Sequence, residues 1–388
     1  MIQDSHVLFV QKRSTRAGAQ TSLARMMRSS LVKGLRPAVL IGSRGWLYDH
    51  LEKLGIPVVE SHFPRLRRLH IQLVGLGGFG KKSRRLLSEK GIYPRTIVAN
   101  DHSECPLALE LSRYHGGVPV VGILRTPGMT QRDFEKFRCE GCDRLLVVGE
   151  ELRTKVQAWT SKPLILFEEG FAGEELHEPL PWKAEFPERL LVIGSEKPRK
   201  GFTDFIHALD LLEEKYPDFP ALQCDFTGSM PDDAPLMQKS RRARFRFLGR
   251  VNEYVQLVRQ YPLAVHPSRA ETFGMAPLEA ILAGVPTLLS VTGAVDELDI
   301  PEIWKFQPSQ PEQIAAKLEA LWLDWPKDGI DLKNLQRGIM ERFHIDHTVA
   351  AAYQTLGPLD INLQRQRKRI FSMSSLFKKI DHSNELLL

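Results

Sequence analysis

The stretch His266-Pro-Ser-Arg-Ala-Glu-Thr-Phe-Gly-Met-Ala-Pro-Leu-Glu-Ala-Ile-Leu-Ala-Gly-Val-Pro286 decides how the rest of the chain is read. Apolar Leu263 to Val265 predict a buried strand running into it. Pro277 suits the first turn of a helix, where its missing N–H has no partner to lose. Leu278, Ala280, Ile281, Leu282 and Ala283 continue that helix, and Gly284 is a fitting stop. Gly274, Met275 and Ala276 then place backbone N–H groups at a helix N-terminus. That is an anion site, and Gly274 allows a phosphate to approach the main chain.

Two glutamates flank this site, Glu271 on the loop and Glu279 in the helix. A carboxylate repels phosphate but accepts hydrogen bonds from sugar hydroxyls. Side chains in the first helical turn lean back toward the N-terminus, so Glu279 reaches a ligand bound there. Glu271 is placed to meet a second sugar. A pyrophosphate flanked by two sugars is a nucleotide-sugar. The alternative is that acids near a helix N-terminus merely complement its dipole.

The combination of a strand, Ser268, Glu271, Phe273-Gly274, Pro277, Glu279 and Gly284-Val285-Pro286 resembles the E-x7-E signature of family 4 glycosyltransferases, retaining enzymes of the GT-B fold. The resemblance is strong from about Leu190 to Leu298 and loose over Met1 to Pro179. It implies an α/β chain of two Rossmann-like domains facing each other across a cleft. The expected division is 1–180 for an acceptor-side domain and 181–340 for a nucleotide-sugar domain. A helix over 341–358 then crosses back, and a basic tail occupies 359–388.

Composition agrees with a two-domain globular chain. There are 388 residues, 43% hydrophobic and 26% charged, with a net charge of +6. The positive balance favours anionic partners. The opening residues lack the basic and apolar regions of a signal peptide, and no segment is apolar for ~18 residues. The expectation is a cytoplasmic protein, peripheral at the inner face of a membrane if the basic helix opened by Lys81-Lys82-Ser83-Arg84-Arg85 or the tail binds anionic lipid. The default readings are a solvated helix face and a disordered, solvated tail. No nucleic-acid partner is expected, because the basic clusters lack interleaved aromatics. Cys139 and Cys142 have metal or redox spacing, but no second pair or histidine cluster completes a site, so neither metal nor cofactor is expected.

Taken in order, His6 to Val10 predicts a strand, Gln11 to Gln20 a loop holding Gly18, and Thr21 to Leu31 a helix. The resemblance makes Gly18-Ala19-Gln20 the glycine loop that faces donor and acceptor. Gly75-Leu-Gly-Gly-Phe-Gly80 follows no convincing strand and reads as a flexible turn. Strands over Arg95 to Ala99 and Val118 to Leu124 lead to two polar loops. The family commonly presents a histidine after the later strand; here stands Arg125, suited to phosphate charge but unable to carry a proton. His102, after the neighbouring strand, is the alternative, and a structural histidine is the bland reading. After Leu164 to Phe167 the family often has Asn-Gly, where this chain has Glu169-Gly170. Pro179 to Pro187 reads as a hinge.

In the second half, Lys200-Gly201 resembles the family's Lys-Gly, whose lysine neutralises donor phosphates. The arginine usually found several residues earlier is replaced by Ser195, leaving Lys197 or Arg199 to supply the second charge. Gly228 and Arg250 end strands on the donor side, and the turn at Gly249-Arg250-Val251 is expected to face the base. The candidate catalytic set is thus Glu271, Lys200, His102 and Arg125. The candidate donor-binding set is Gly18, Lys200, Gly228, Arg250, Phe273, Gly274, Met275, Ala276 and Glu279. The implied partners are a nucleotide-sugar donor and a glycan or glycolipid acceptor. Other expectations held open are a different GT-B enzyme, such as an epimerase, and a non-catalytic scaffold.

Overall fold

The computed structural model describes residues 5–64, 77–126, 128–183, 185–231, 242–325 and 330–356. Arg65, Arg67 and Arg68, a cluster of three arginines in the sequence, and the expected basic tail 359–388 lie outside the described residues.

Apolar runs form two sheets. The first has the spatial order β3 (Val58–Glu60), β2 (Pro37–Ile41), β1 (Ser5–Gln11), β4 (Tyr93–Ala99), β5 (Val120–Leu124), β6 (Arg144–Val147), β7 (Leu164–Leu166). The second has the order β10 (Arg244–Phe247), β9 (Gln223–Phe226), β8 (Arg189–Val192), β11 (Ala264–His266), β12 (Thr287–Ser290), β13 (Lys305–Phe306). Every neighbouring pair is parallel. Parallel sheets are covered by helices on both faces, so their strands need unbroken apolar sequence. Val7, Leu8, Phe9 and Val10, and Leu190, Leu191 and Val192, are all fully buried.

Both sheets reverse strand order once, between β1 and β4 and between β8 and β11. Ligands of open α/β sheets bind outside the carboxyl ends of strands at such switch points, where neighbouring crossovers diverge and leave a crevice. The loops placed there follow β1 (Lys12–Ala17), β4 (Asn100–Glu104), β8 (Gly194–Lys200) and β11 (Pro267–Gly274). The signature stretch therefore occupies the second sheet's crevice.

Three elements differ from the sequence reading. The first helix runs Gly18–Met26, and a second, Ser30–Gly34, follows. Gly18 is thus in the first helical turn, and Ser29 in extended conformation divides the predicted single helix. The glycine-rich run is not a turn where it is described: Gly77–Glu89 is a helix. A Cβ at Gly80 would overlap the Tyr114 ring, so its lack of side chain lets this helix lie close on the helix Cys105–Tyr114. The expected crossing helix is two helices, Leu332–Phe343 and Ile345–Leu356, broken at His344. The first packs on the helix Met275–Leu282 and the second on Ser30–Gly34. His344 pairs with Phe171 between them.

Candidate functional site

Gly274 caps the helix Met275–Leu282 with φ +85° and ψ +51°. A Cβ there would come no nearer than 3.7 Å to Glu271, so conformation rather than crowding calls for glycine. Met275 and Ala276 follow at the first two helical positions, with their N–H groups at the N-terminus. Side chains fix this end of the helix: Tyr254 Oη donates to the Ala276 carbonyl at 2.8 Å. Phe273 turns inward, with its ring 6.3 Å from Phe171 and 5.0 Å from Phe343, while its carbonyl accepts from Ala294 at 2.8 Å.

Glu271 lies beside that helix start among three donors. Lys200 Nζ donates to its Oε1, as does His266 Nε2 at 3.2 Å, and Arg199 Nη1 is 3.6 Å from Oε2. Lys200 ends a short turn, Pro198–Lys200, and Gly201 follows with φ +68°. A Cβ on Gly201 would overlap the Pro267 carbonyl oxygen, so glycine is what brings the lysine loop onto the signature loop. Burial alone would raise the Glu271 pKa. The hydrogen bond and charge of His266 and the charge of Lys200 outweigh it and hold the carboxyl far below its usual range. Burial lowers Lys200 against the pull of Glu271, and burial likewise lowers His266, whose Nδ1 has no hydrogen-bond partner among the described residues.

Ser195 backs onto Gly228. With φ +152° and a would-be Cβ 2.8 Å from the Ser195 Cα, Gly228 permits close approach of the two loops. Of the two candidates for the charge missing at Ser195, Lys197 is exposed and Arg199 is at the Glu271 carboxylate. Arg199 also donates to the Ala270 carbonyl at 3.1 Å.

Glu279 has a partner that sequence reasoning missed. Arg25, from the helix Gly18–Met26, donates to Glu279 Oε1 at 2.6 Å and to both oxygens of Glu175 at 2.7 and 2.8 Å. Arg25 is 4% exposed. Burial works against its charge, but the two carboxylates raise its pKa further still. Nothing in the sequence pairs residue 25 with residue 279, because the contact joins the two halves of the fold.

The first half places its candidates differently from one another. Arg125 does not reach for phosphate. Its Nε and Nη2 donate to the carbonyl and side-chain oxygens of Asn100 at 2.9 and 3.2 Å. Its Nη1 donates to Ser22 at 2.7 Å and to Glu169. Both members of the Arg125–Glu169 pair are under a tenth exposed. The guanidinium is thereby engaged with protein partners on every nitrogen. His102 sits at the cleft end of β4, with its Nδ1 2.5 Å from Asp101. Burial opposes its charged form, but Asp101 prevails and the pKa is raised. Neighbouring Glu104 is buried, and desolvation together with Asp101 pushes its pKa up to about 7.

Gly18 is open: a Cβ there would touch nothing within 4 Å. Arg250 is exposed and reaches the first half, donating to the Arg16 carbonyl at 3.0 Å, while Arg16 donates to the Asn252 carbonyl. Thr272 Oγ1 donates to the Arg125 carbonyl at 3.3 Å. Arg342 joins Glu168 at 2.7 Å to Glu297 at 2.7 Å. The signature loop, the base-side turn and the loop after β12 are thus all tied to first-half residues. Cys105 and Cys142 are buried thiols beside Gly122, buried Cys139 neighbours Cys105, and among the described residues no cluster has metal-holding geometry. No helix among the described residues is long and apolar enough to cross a membrane.

Two parallel α/β sheets whose switch-point loops meet across one cleft define the GT-B fold of glycosyltransferase structures. The structure is similar to that of HepE from Anabaena in complex with UDP and glucose. Its TM-score is 0.69 at 18% identity, covering 92% of this chain and 100% of that one. It is also similar to the apo form of the lipopolysaccharide outer core galactosyltransferase WaaB, with TM-score 0.62 at 15% identity, covering 90% and 99%. Residues 175–334 match the family described as Glycosyl transferases group 1. An uncharacterized glycosyltransferase of Methanocaldococcus jannaschii is 27% identical over 165 residues, 41% of this chain. The match spans 42% of that relative's length.

Proposed function

We propose that the protein is a retaining glycosyltransferase that moves a sugar from a nucleotide-sugar to a hydroxyl of a glycan or glycolipid. The observation that carries this reading is the placing of Lys200, Arg199 and Glu271 beside the Gly274-capped helix start, at the switch point of the second sheet. A diphosphate seated on the amides of Gly274 to Ala276 is charge-compensated by Lys200 and Arg199. As the C1–phosphate bond breaks, charge grows on the leaving oxygen, and groups already oriented there stabilise it without reorganising. Glu271 accepts from hydroxyls of the transferred sugar. Its carboxylate stays ionised across the working range, because His266 and Lys200 hold its pKa so low.

The acceptor hydroxyl attacks C1 on the face that the diphosphate leaves, and its proton passes to the leaving phosphate oxygen. That route needs no protein base, which suits a first half whose arginine is closed in by Glu169. The phosphate charge is carried by the lysine, the arginine and the amides, so we propose no metal. The likeness to a UDP-bound structure supports trying UDP-sugars first. The exposed residues Lys81, Lys82, Arg84 and Arg85 support a peripheral, cytoplasmic placement against anionic lipid.

The test is release of nucleoside diphosphate from UDP-, GDP- and ADP-sugars, with the anomeric configuration of the product read by NMR. The reading expects one donor class to be consumed with retention. Inversion, or a free epimerised donor, would contradict it.

A further inference from the structure

We infer that Arg25 is a positioning residue for the donor ribose. It holds Glu279 in its accepting orientation from the opposite half of the fold. The inference rests on the proposed reading, in which Glu279 meets the ribose hydroxyls.

Arg25 lies in the last turn of the helix Gly18–Met26, and its guanidinium is used on every side. Nε meets Glu175, Nη2 meets Glu279, Nη1 approaches the Met275 sulfur at 3.8 Å, and one face lies 4.8 Å over the Phe171 ring. Glu175 is anchored in turn, accepting from the Ala172 amide at 2.9 Å. The planar fork of an arginine serves two carboxylates at fixed angles, which a lysine cannot do. Arg25 occupies Glu279 Oε1 at 2.6 Å, so its role is to hold that carboxylate aimed.

The experiment compares UDP, GDP and ADP with their 2′,3′-dideoxy forms by calorimetry, for wild type, Arg25→Met, Arg25→Lys and Glu279→Ala. For the nucleotide that binds, wild type is expected to prefer the ribose form roughly 10- to 100-fold, the range of hydrogen bonds to a charged group. Glu279→Ala should abolish that preference. Arg25→Met should lose most of it, and Arg25→Lys should restore part. If Arg25→Met does not fold, Arg25→Lys carries the test, because it keeps the charge but serves only one carboxylate. Full preference in every folded Arg25 variant, with loss in Glu279→Ala, overturns the role of Arg25 and leaves the proposed function standing. Failure of wild type to bind any of the three nucleotides sinks the proposed function, and this inference with it.

Discussion

Arg125 and Glu169 form a buried ion pair between the loop after β5 and the loop after β7, each side chain under a tenth exposed. These are the two positions at which the resemblance leads one to expect histidine and asparagine, and in the structure the Arg125 guanidinium is neutralised by the Glu169 carboxylate. Ser22 and Asn100 complete the network, Ser22 donating to Glu169 while it accepts from Arg125.

Breaking one side of such a pair leaves an uncompensated buried charge, which costs about 3–5 kcal/mol. Glu169→Ala and Arg125→Ala are each predicted to lower the urea midpoint by that equivalent. Arg125→Met combined with Glu169→Leu should lose much less, because no bare charge remains. A double variant as unstable as the sum of the singles would contradict the pairing.

Lys200 and Arg199 share one carboxylate but differ in burial, Lys200 being the more enclosed. Lys200→Ala is predicted to reduce nucleoside diphosphate release on the order of 10²- to 10³-fold, the scale of a lost charge-stabilising donor. Arg199→Ala should cost roughly 10-fold, since a half-buried cation is partly screened by solvent. Equal and small effects from both would remove them from the diphosphate site.

Much of this arrangement was legible. The apolar runs located strands of both sheets because parallel strands are buried on both faces. Gly274 was readable from the helix start it precedes and Gly201 from the Lys-Gly resemblance, and the structure gives both a positive φ. What sequence could not give were partners brought from far along the chain. Arg25 is one cation among many on a polar helix surface until the fold sets it against Glu279. Arg125 read as a phosphate ligand because its loop was right, and the fold then supplied Glu169. His266 had a readable signal, since it ends the strand that feeds the signature loop. The break at His344 left no periodicity to find, as apolar spacing continues through it.

Glu104 gives a pH signature. Its carboxyl titrates at about 7 in the folded chain against 4.5 ordinarily. Below 4.5 both states are protonated and nothing is lost. From there to about 7 the unfolded chain releases its proton first, so stability falls with rising pH. Above that the loss levels off at about 3 kcal/mol, from 1.36 kcal/mol per pKa unit. Glu104→Gln is predicted to flatten this slope, gaining stability at pH 8 and nothing at pH 4. Denaturant unfolding at the two pH values checks it, and parallel profiles would refute it.

Gly149 has φ +90°, and a Cβ there would lie 2.6 Å from the Thr272 carbonyl oxygen across the cleft. Gly149→Ala is therefore predicted to push the signature loop off the first half. Misplacement of about 1 Å can cost on the order of 10²-fold in rate. Turnover should fall far more than thermal stability does. A variant with unaltered turnover would show that the close approach is dispensable.

The central claim is that the Gly274-capped helix start, with Glu279, is a nucleotide-sugar site. Thermal stabilisation by UDP-, GDP- and ADP-sugars, for wild type and Glu279→Ala, tests it most directly. The account predicts stabilisation by one donor class, lost in the variant. A folded wild-type protein stabilised by none of them, or a Glu279→Ala variant stabilised as fully as wild type, would contradict it.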